Sequence, residues 1–226
     1  MNKKGLFLSI LSIFFSFFLN SQPFSSVFLE NKPFHPLAKI NQELIRQLET
    51  SSFYVGASNL EKDFIYWTNF ARLYPKSFCD SVLIPFIIEQ PTTKGDAANQ
   101  LIKELRQTNP LSILVPDQTL SNTARDQARD LSKRKGQISH QSNNGNSFNQ
   151  RMKLAGIKTC AAENISLGQN DQLVALLLLY LDIGLTDAGH RKNLMNQGFT
   201  RMGVSVIQMK GQNQFITVQD FGCPQQ

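Results

Sequence analysis

Three segments of the sequence carry side chains that can bind a metal ion or transfer a proton near neutral pH. His140 lies in the polar stretch Ser139-His140-Gln141-Ser142, and His190 lies in the stretch Gly189-His190-Arg191-Lys192-Asn193. Between them, Glu163 opens a segment that is typical of a β-strand. Imidazole and carboxylate groups are common ligands of divalent cations and common general acids and bases. A functional site therefore requires that these three segments meet in the folded chain.

The spacing of the two histidines does not by itself define a site. Fifty residues separate His140 from His190, which is far longer than a local metal motif such as HExxH. The sequence permits a shared site, and it equally permits two histidines that make unrelated hydrogen bonds. His35, between Phe34 and Pro36, is predicted to be a surface residue rather than a ligand.

The first 21 residues are predicted to be a signal peptide. Lys3 and Lys4 precede an apolar stretch from Gly5 to Leu19, and Ser21 supplies a small residue at a suitable cleavage point. This stretch is shorter than the ~20 apolar residues that a membrane-spanning helix needs. We therefore expect a secreted or periplasmic protein whose mature chain has no transmembrane span. An uncleaved N-terminal anchor is the alternative.

Composition favours one domain of ordinary size and excludes some classes of function. Loss of Lys3 and Lys4 without any acid lowers the formal net charge from +6 to +4. The other basic residues form no stripe with interleaved aromatic residues, so we expect no nucleic-acid partner. About 205 mature residues suit one domain with an extension. The three cysteines, Cys79, Cys160 and Cys223, include no CxxC pair, so a thiolate metal site is not expected, and their pairing stays open.

The predicted elements place helices first and a β-hairpin last. Residues 22–59 are interpreted as an N-terminal extension or linker on a flexible tether, with one short amphipathic helix within residues 37–48 that could dock a partner. Helices are predicted over 60–73, 97–107, 118–135, 148–154, 171–181 and 190–195, and strands over 160–167, 203–209 and 214–221. Gly136 is expected to end the third of these helices. Its small Ala124 and Ala128 predict a close packing partner. This order indicates an α+β layered domain.

From about Leu60 to Gly222, the chain resembles the CAP superfamily, the cysteine-rich secretory, antigen 5 and pathogenesis-related-1 proteins with an SCP-like domain, in its short bacterial form. The matching segments occur in the family's order: Phe64-Ile65-Tyr66-Trp67-Thr68-Asn69-Phe70-Ala71-Arg72, Leu120 to Ala128, Ser139-His140, Glu163-Asn164-Ile165, Gly189-His190-Arg191-Lys192-Asn193-Leu194, Met202-Gly203-Val204 and Phe215 to Gly222. The resemblance implies a three-layer α-β-α sandwich over residues 60–224 that is closed by an antiparallel β-hairpin.

The resemblance also implies a groove that is lined by two histidines and two acidic residues. His140 and His190 match the histidines, and Glu163 matches the first acid. Asp182, late in a predicted buried helix, stands about where the family has a glutamate. Because aspartate is shorter, a solvent-facing role at the end of the helix is the alternative for Asp182.

Three functions remain open at this stage. In the first, the protein is a non-enzymatic binding module that holds Zn²⁺ or another divalent cation on His140 and His190, and that binds a lipid, a sterol or an extracellular protein. In the second, it is a metal-assisted hydrolase, peptidase-like or esterase-like, with Glu163 as general base. In the third, the four groups form a structural polar network without a ligand. Asn164 and Gln219 are expected to support the site, Gln219 by orienting a histidine from behind.

Overall fold

The computed structural model describes residues 27, 29, 33–134, 137–168 and 170–224. The predicted signal peptide over residues 1–21 and the predicted helix end at Gly136 lie outside these residues. Within the described ranges, no helix has the length and apolar character that crossing a membrane requires.

The chain forms helices first and most of its sheet last, as the sequence predicts. The helices are α1 (Gln42–Leu48), α2 (Ser52–Gly56), α3 (Asn59–Leu73), α4 (Pro75–Phe78), α5 (Ile84–Glu89), α6 (Asp96–Gln107), α7 (Gln118–Leu131), α8 (Phe148–Leu154), α9 (Gln172–Leu181) and α10 (Gly189–Leu194). The strands are β1 (Val115–Pro116), β2 (Ala161–Gly168), β3 (Arg201–Gln208) and β4 (Phe215–Gly222). A π-helical turn at Cys79–Leu83 joins α4 to α5, and a 3₁₀ turn at Pro91–Thr93 follows α5.

The strands form one mixed sheet in the order β1-β3-β4-β2. β3 and β4 are an antiparallel hairpin, β2 is antiparallel to β4, and the short β1 is parallel to β3. In the hairpin turn, the Met209 N–H donates to the Gln214 carbonyl at 2.8 Å, and Gly211 takes a φ of 75°, which favours glycine. The predicted closing hairpin is therefore confirmed.

Helices cover both faces of this sheet. Ile216 and Val218 of β4 pack with Ala124 and Ala128 of α7 in one apolar cluster. Phe221, on the opposite face because strand side chains alternate, belongs to a larger cluster that includes α3 and α9. The α-β-α sandwich is thereby confirmed, together with the close packing that the alanines of α7 predict.

The segment before α3 packs against the domain and is not a tether over residues 33–59. Leu44 and Leu48 of α1 are fully buried in the cluster that contains α3. The Asn41 N–H donates to the Tyr66 hydroxyl at 2.7 Å, and the ring of Phe34 meets that of Phe86 edge-on at a centroid distance of 5.2 Å. The predicted short helix exists, but its apolar face is already covered by this chain. The domain boundary at residue 59 stays a prediction.

Arg72, at the end of α3, ties the segment around α10 to the core. This side chain is fully buried, and burial lowers the pKa of its guanidinium. Its donors reach backbone carbonyls alone, those of Ser112 at 3.0 Å, Leu194 at 2.8 Å, Asn196 at 3.0 Å and Phe199 at 3.3 Å. A buried polar group needs such partners, so the end of α10 is fixed relative to α3.

The structure also decides the cysteine pairing that the sequence leaves open. Cys160 and Cys223 form a disulfide with a Cα–Cα distance of 5.4 Å, and Cys79 is free and buried. The Cys223 N–H donates to the Cys160 carbonyl at 3.0 Å. The bond therefore joins the start of β2 to the segment that follows β4.

α7 approaches the sheet most closely at Gly203 of β3. A Cβ atom added to Gly203 would lie 2.0 Å from the carbonyl carbon of Leu120 and 2.1 Å from the nitrogen of Ser121. The Asp117 N–H, just before α7, donates to the Met202 carbonyl at 2.7 Å. Backbone therefore meets backbone at this point, without room for a side chain.

We expect Gly203→Ala to lower the free energy of unfolding by about 3 kcal/mol or more, because the methyl group would have to displace helix backbone rather than a flexible side chain. Urea denaturation followed by circular dichroism would measure the loss. Gly168→Ala is the matched control in β2, where an added Cβ atom meets nothing within 4 Å. We expect it to change stability by less than about 1 kcal/mol. Equal effects of the two substitutions would contradict this account of the contact.

Candidate functional site

The site lies at the β2 edge of the sheet, where the two helical layers meet. Glu163 pairs across β2 and β4 with Asp220, and Asn164 pairs with Gln219. Paired residues share a face and neighbours in a strand alternate. Glu163 and Asp220 therefore face the layer of α7, whereas Asn164 and Gln219 face the layer of α3 and α9.

His140 reaches the site from the α7 layer. The loop that carries it is held by Gln127 of α7, whose amide donates to the Ser139 carbonyl at 2.7 Å and accepts from the Ser142 hydroxyl at 2.8 Å. The His140 Nδ1 lies 2.7 Å from the Glu163 Oε1. The Glu163 side chain is only 1% exposed, so this carboxylate is a buried partner of the imidazole.

His190 reaches the site from the opposite layer, through Asp182. Asp182 ends α9 in the left-handed region with φ 48° and ψ 41°, a conformation that aspartate tolerates better than most residues. Its Oδ1 lies 2.5 Å from the His190 Nδ1, and its Oδ2 accepts from the Arg191 N–H at 2.9 Å. The Asp182 side chain is 1% exposed. The alternative of a solvent-facing Asp182 is therefore wrong.

Arg191 fixes α10 against the end of α9. Its guanidinium donates to the carbonyls of Tyr180 at 2.8 Å and Leu181 at 3.1 Å. Free carbonyls at the C-terminus of a helix attract cations, and Arg191 is buried there. The position of His190 at the start of α10 follows from this contact.

A groove of about 810 Å³ contains both histidines, with Glu163 in its wall. Its lining includes apolar groups from Ile138, Phe148 and Leu185 and polar ones from Lys192 and Asn193. The imidazoles of His140 and His190 are 26% and 17% exposed. A neutral imidazole that donates Nδ1–H to a carboxylate keeps an unprotonated Nε2. Neither Nε2 has a hydrogen-bond partner among the residues that the structure describes.

The side-chain donors around the groove determine whether it could hold a divalent cation. Over the described ranges, no three His, Cys, Asp or Glu side chains converge as a ready ligand cluster. The two carboxylates do not complete such a cluster because each is engaged by the Nδ1 of one histidine. The Nε2 atoms of His140 and His190 remain as nitrogen ligands, which suit Zn²⁺ when water fills the other positions.

Two residues of the site, Arg151 and Asp220, were not anticipated from the sequence. Arg151 of α8 forms a salt bridge to the Glu163 Oε2 and donates to the His140 carbonyl at 2.6 Å. Asp220 is fully buried beside Glu163, and its Oδ2 lies 2.6 Å from the Thr123 hydroxyl. Gln219-Asp220-Phe221 belongs to the matched final segment, but the register that sets Asp220 opposite Glu163 exists only in the folded sheet.

Burial raises the pKa of Asp220 well above its ordinary value, and the negative charge of Glu163 raises it further. The Thr123 hydroxyl and the charge of Arg151 act in the opposite direction without overcoming these effects. The geometry agrees with a protonated Asp220, because the Thr123 Oγ1 also lies 2.8 Å from the Leu120 carbonyl. A hydroxyl has a single proton, so Thr123 lowers this pKa only when it donates to Asp220; if it donates to the Leu120 carbonyl instead, it can accept a hydrogen bond from the protonated Asp220 carboxyl.

Asn164 and Gln219 differ in their relation to the histidines. The Asn164 amide donates to the His190 carbonyl at 3.3 Å and accepts from the Asn193 amide at 2.9 Å, so it joins β2 to α10. The Gln219 amide donates instead to the Thr68 hydroxyl of α3 at 3.4 Å. The expectation that Gln219 orients a histidine is not met in the described contacts, because Gln219 lies in the centre of the sheet face that α3 covers.

We expect Asp220→Asn to be more stable than the wild type at pH 7, with a difference that shrinks as the pH falls toward 3.8, the ordinary value for an aspartate. Below that pH, Asp220 is protonated in both states. Above it, the unfolded chain releases the proton and the native chain retains it, so stability falls as the pH rises through the raised native pKa. Urea denaturation across this pH range would measure the difference.

The control for Asp220→Asn is Asp126→Asn, on α7, where the side chain is 78% exposed. We expect this change to stay within about 0.5 kcal/mol at each pH. An Asp220→Asn protein that is less stable than the wild type at pH 7 would contradict the protonated state of Asp220.

Comparison with known proteins gives a family and several more distant likenesses. The chain is 35% identical over 112 residues to the uncharacterized protein YkwD of Bacillus subtilis (strain 168), a match that covers 48% of this chain and 40% of YkwD. The match thus spans less than half the length of that relative. An extracellular SCP-domain protein from Bacillus anthracis str. Ames has 29% identity and a TM-score of 0.42, over 54% of this chain and 37% of that one. NaASP2, whose crystal structure was determined with Zn²⁺, has 16% identity and a TM-score of 0.41, over 74% of this chain and 81% of that one.

The family match covers the second half of the sandwich, including both histidines and both acids of the site. Residues 100–221 match the family described as CAP, the cysteine-rich secretory protein family. Because this match extends over more than half of the chain, the protein belongs to the CAP family of cysteine-rich secretory proteins.

Proposed function

We propose that this protein is an exported, non-enzymatic binding protein whose groove holds a divalent cation, Zn²⁺ in the first instance, on His140 and His190. One observation carries the proposal. Both imidazoles line one groove, and each pairs through Nδ1 with a buried carboxylate. Histidines that bind metals in proteins ordinarily donate their other ring N–H in this way, which fixes the tautomer and makes Nε2 a better ligand.

A cation held by two imidazoles would keep open coordination positions. Those positions would accept water or a polar group of a ligand in the groove, so we expect the affinity for the metal to be modest and to depend on pH. The groove volume of about 810 Å³ falls in the range of small-molecule sites. Its mixed lining suits a lipid, a sterol or a protein segment with both an apolar and a polar part.

Two features support export. The sequence predicts a signal peptide over residues 1–21, and the structure contains the Cys160–Cys223 disulfide. Disulfides form and persist outside the reducing cytosol. A secreted or periplasmic location is therefore the one in which this bond would be maintained.

The hydrolase alternative has less support in the geometry. A general base must reach the proton that it removes, directly or through one water. Glu163 is 1% exposed, with one oxygen paired to His140 and the other to Arg151. This carboxylate is placed to orient an imidazole rather than to activate water in the groove.

We expect metal-stripped protein that starts at Gln22 to bind one Zn²⁺ per chain at pH 7.5, because the two unprotonated Nε2 atoms supply the ligands. Binding should disappear in the double variant His140→Ala/His190→Ala and weaken as the pH is lowered, because protons compete with the metal for the imidazole nitrogens. Isothermal titration calorimetry would measure both effects. His35→Ala is the matched control, since the third histidine is exposed and outside the groove, and it should bind like the wild type.

The wild type and the variant Glu163→Gln together separate the three functions. Absence of Zn²⁺ binding in the wild type would overturn the metal site. If Glu163→Gln then lowers the melting temperature, the four groups act as a structural network. If the wild type cleaves members of a peptide and ester panel and Glu163→Gln does not, the hydrolase is correct. Zn²⁺ binding without turnover on that panel supports the binding protein.

A further inference from the structure

The two histidines of the groove are held by different kinds of contact. The His190 arm is local, because Asp182 is eight residues away and the backbone N–H of the adjacent Arg191 satisfies its second oxygen. The His140 arm has no such local support. His140 lies in a loop between α7 and α8, and its carboxylate partner comes from a strand 23 residues further along the chain.

Arg151 closes a ring of contacts around the His140 arm. Its Nη1 donates to the His140 carbonyl at 2.6 Å, and its Nη2 forms the salt bridge to the Glu163 Oε2. The Glu163 Oε1 in turn accepts from the His140 Nδ1 at 2.7 Å. One guanidinium thus fixes the backbone of His140 directly and its side chain through Glu163, which the planar fork of arginine allows and a lysine does not.

Arg151 acts from outside the groove. It is absent from the groove lining and lines a second cavity of about 650 Å³. Its side chain is 9% exposed, and its Cζ lies 5.5 Å from the centre of the Phe148 ring. A guanidinium in this position can orient His140 without contacting an ion or molecule that is bound in the groove.

The neutral form of Asp220 leaves the Arg151 guanidinium paired with Glu163. Arg151 is ion-paired to the buried Glu163, and its charge also acts on the fully buried Asp220 nearby. Burial and the charge of Glu163 raise the pKa of Asp220, which favours its neutral form and leaves the guanidinium facing one carboxylate. A charged Asp220 would compete for Arg151 and weaken its hold on Glu163.

We propose that Arg151 is a positioning residue for His140, which it holds in the Nδ1–H tautomer with Nε2 available to a cation in the groove. This inference rests on the proposed metal site, but the tautomer can be observed without metal. Arg151→Gln should then weaken Zn²⁺ binding by about tenfold or more, the usual effect of losing a contact that orients a metal ligand. Arg151→Lys can reach one acceptor at a time, so its Zn²⁺ affinity should lie between those of Arg151→Gln and the wild type.

The test combines Zn²⁺ calorimetry with nitrogen chemical shifts of the imidazole rings, recorded by NMR on metal-free protein near pH 8. His35→Ala and His190→Ala assign the His140 signals by elimination. The wild type should show His140 as the Nδ1–H tautomer, and Arg151→Gln should show a mixture of both tautomers. Arg129→Gln is the matched control, because Arg129 lines the same second cavity with its side chain 62% exposed, and it should change neither readout.

Each outcome decides one of the two proposals. Absence of Zn²⁺ binding in the wild type would overturn the metal site. The tautomer of His140 would still test whether Arg151 positions that residue. Unchanged tautomer and affinity in a folded Arg151→Gln protein would overturn the positioning role, as would the same result in Arg151→Lys if Arg151→Gln does not fold. Failure of both variants to fold, judged by circular dichroism, would make Arg151 a residue of the fold and would overturn it as well. A mixed tautomer in Arg151→Gln, with partial recovery in Arg151→Lys, supports it.

Discussion

The contact between α7 and the sheet at Gly203 is the constraint on which the rest of the sandwich depends. Backbone atoms of Leu120 and Ser121 occupy the space that any side chain at position 203 would need. This approach sets the height of α7 above the sheet and lets its small Ala124 and Ala128 pack on β4. It also brings Thr123 to Asp220 and Gln127 to the loop that carries His140. A shift of α7 at this contact would therefore reach the site through two side chains, Thr123 and Gln127.

The groove is a product of the layered architecture rather than of any single element. His140 follows α7 on one face of the sheet, and His190 follows α9 on the other. They can line one groove because β2, at the edge of the sheet, presents Glu163 to one layer and Asn164 to the other. A central strand such as β4 also faces both layers, but a neighbouring strand on each side keeps those layers apart, whereas they can meet beyond the edge strand β2. The edge position of β2 thus gives the site access to both layers.

The two acids that orient the histidines are stabilised by different means. Asp182 lies at the end of α9 and takes a backbone N–H on its second oxygen, a neutral donor that is fixed by the helix start. Glu163 lies in a strand beside a second acid, and it depends on the charge of Arg151. A buried carboxylate needs a hydrogen-bond donor or a cation beside it, since a charge without a partner is costly in the interior. The difference makes the His140 arm the more easily altered half of the groove.

Local patterns in the sequence determined much of this protein. The periodicity of apolar residues predicted most of the helices, the alternation of β4 and its turn predicted the hairpin, and the ordered segments of the CAP resemblance singled out His140, Glu163 and His190. The same resemblance named Asp182 as the second acid, but the burial of this side chain depended on the left-handed end of α9. These features are local, because a few neighbouring residues fix the period, the turn or the cap.

Only the tertiary structure decided the remaining features. The register of β2 on β4 set Asp220 opposite Glu163, and the packing of α8 brought Arg151 to both Glu163 and the His140 carbonyl. Contacts elsewhere in the fold paired Cys160 with Cys223 and covered the apolar face of α1. Each of these contacts joins residues that are distant in sequence, and a single sequence carries no local pattern for such pairs. The sequence therefore determined which groups could act, and the folded sheet decided which of them meet.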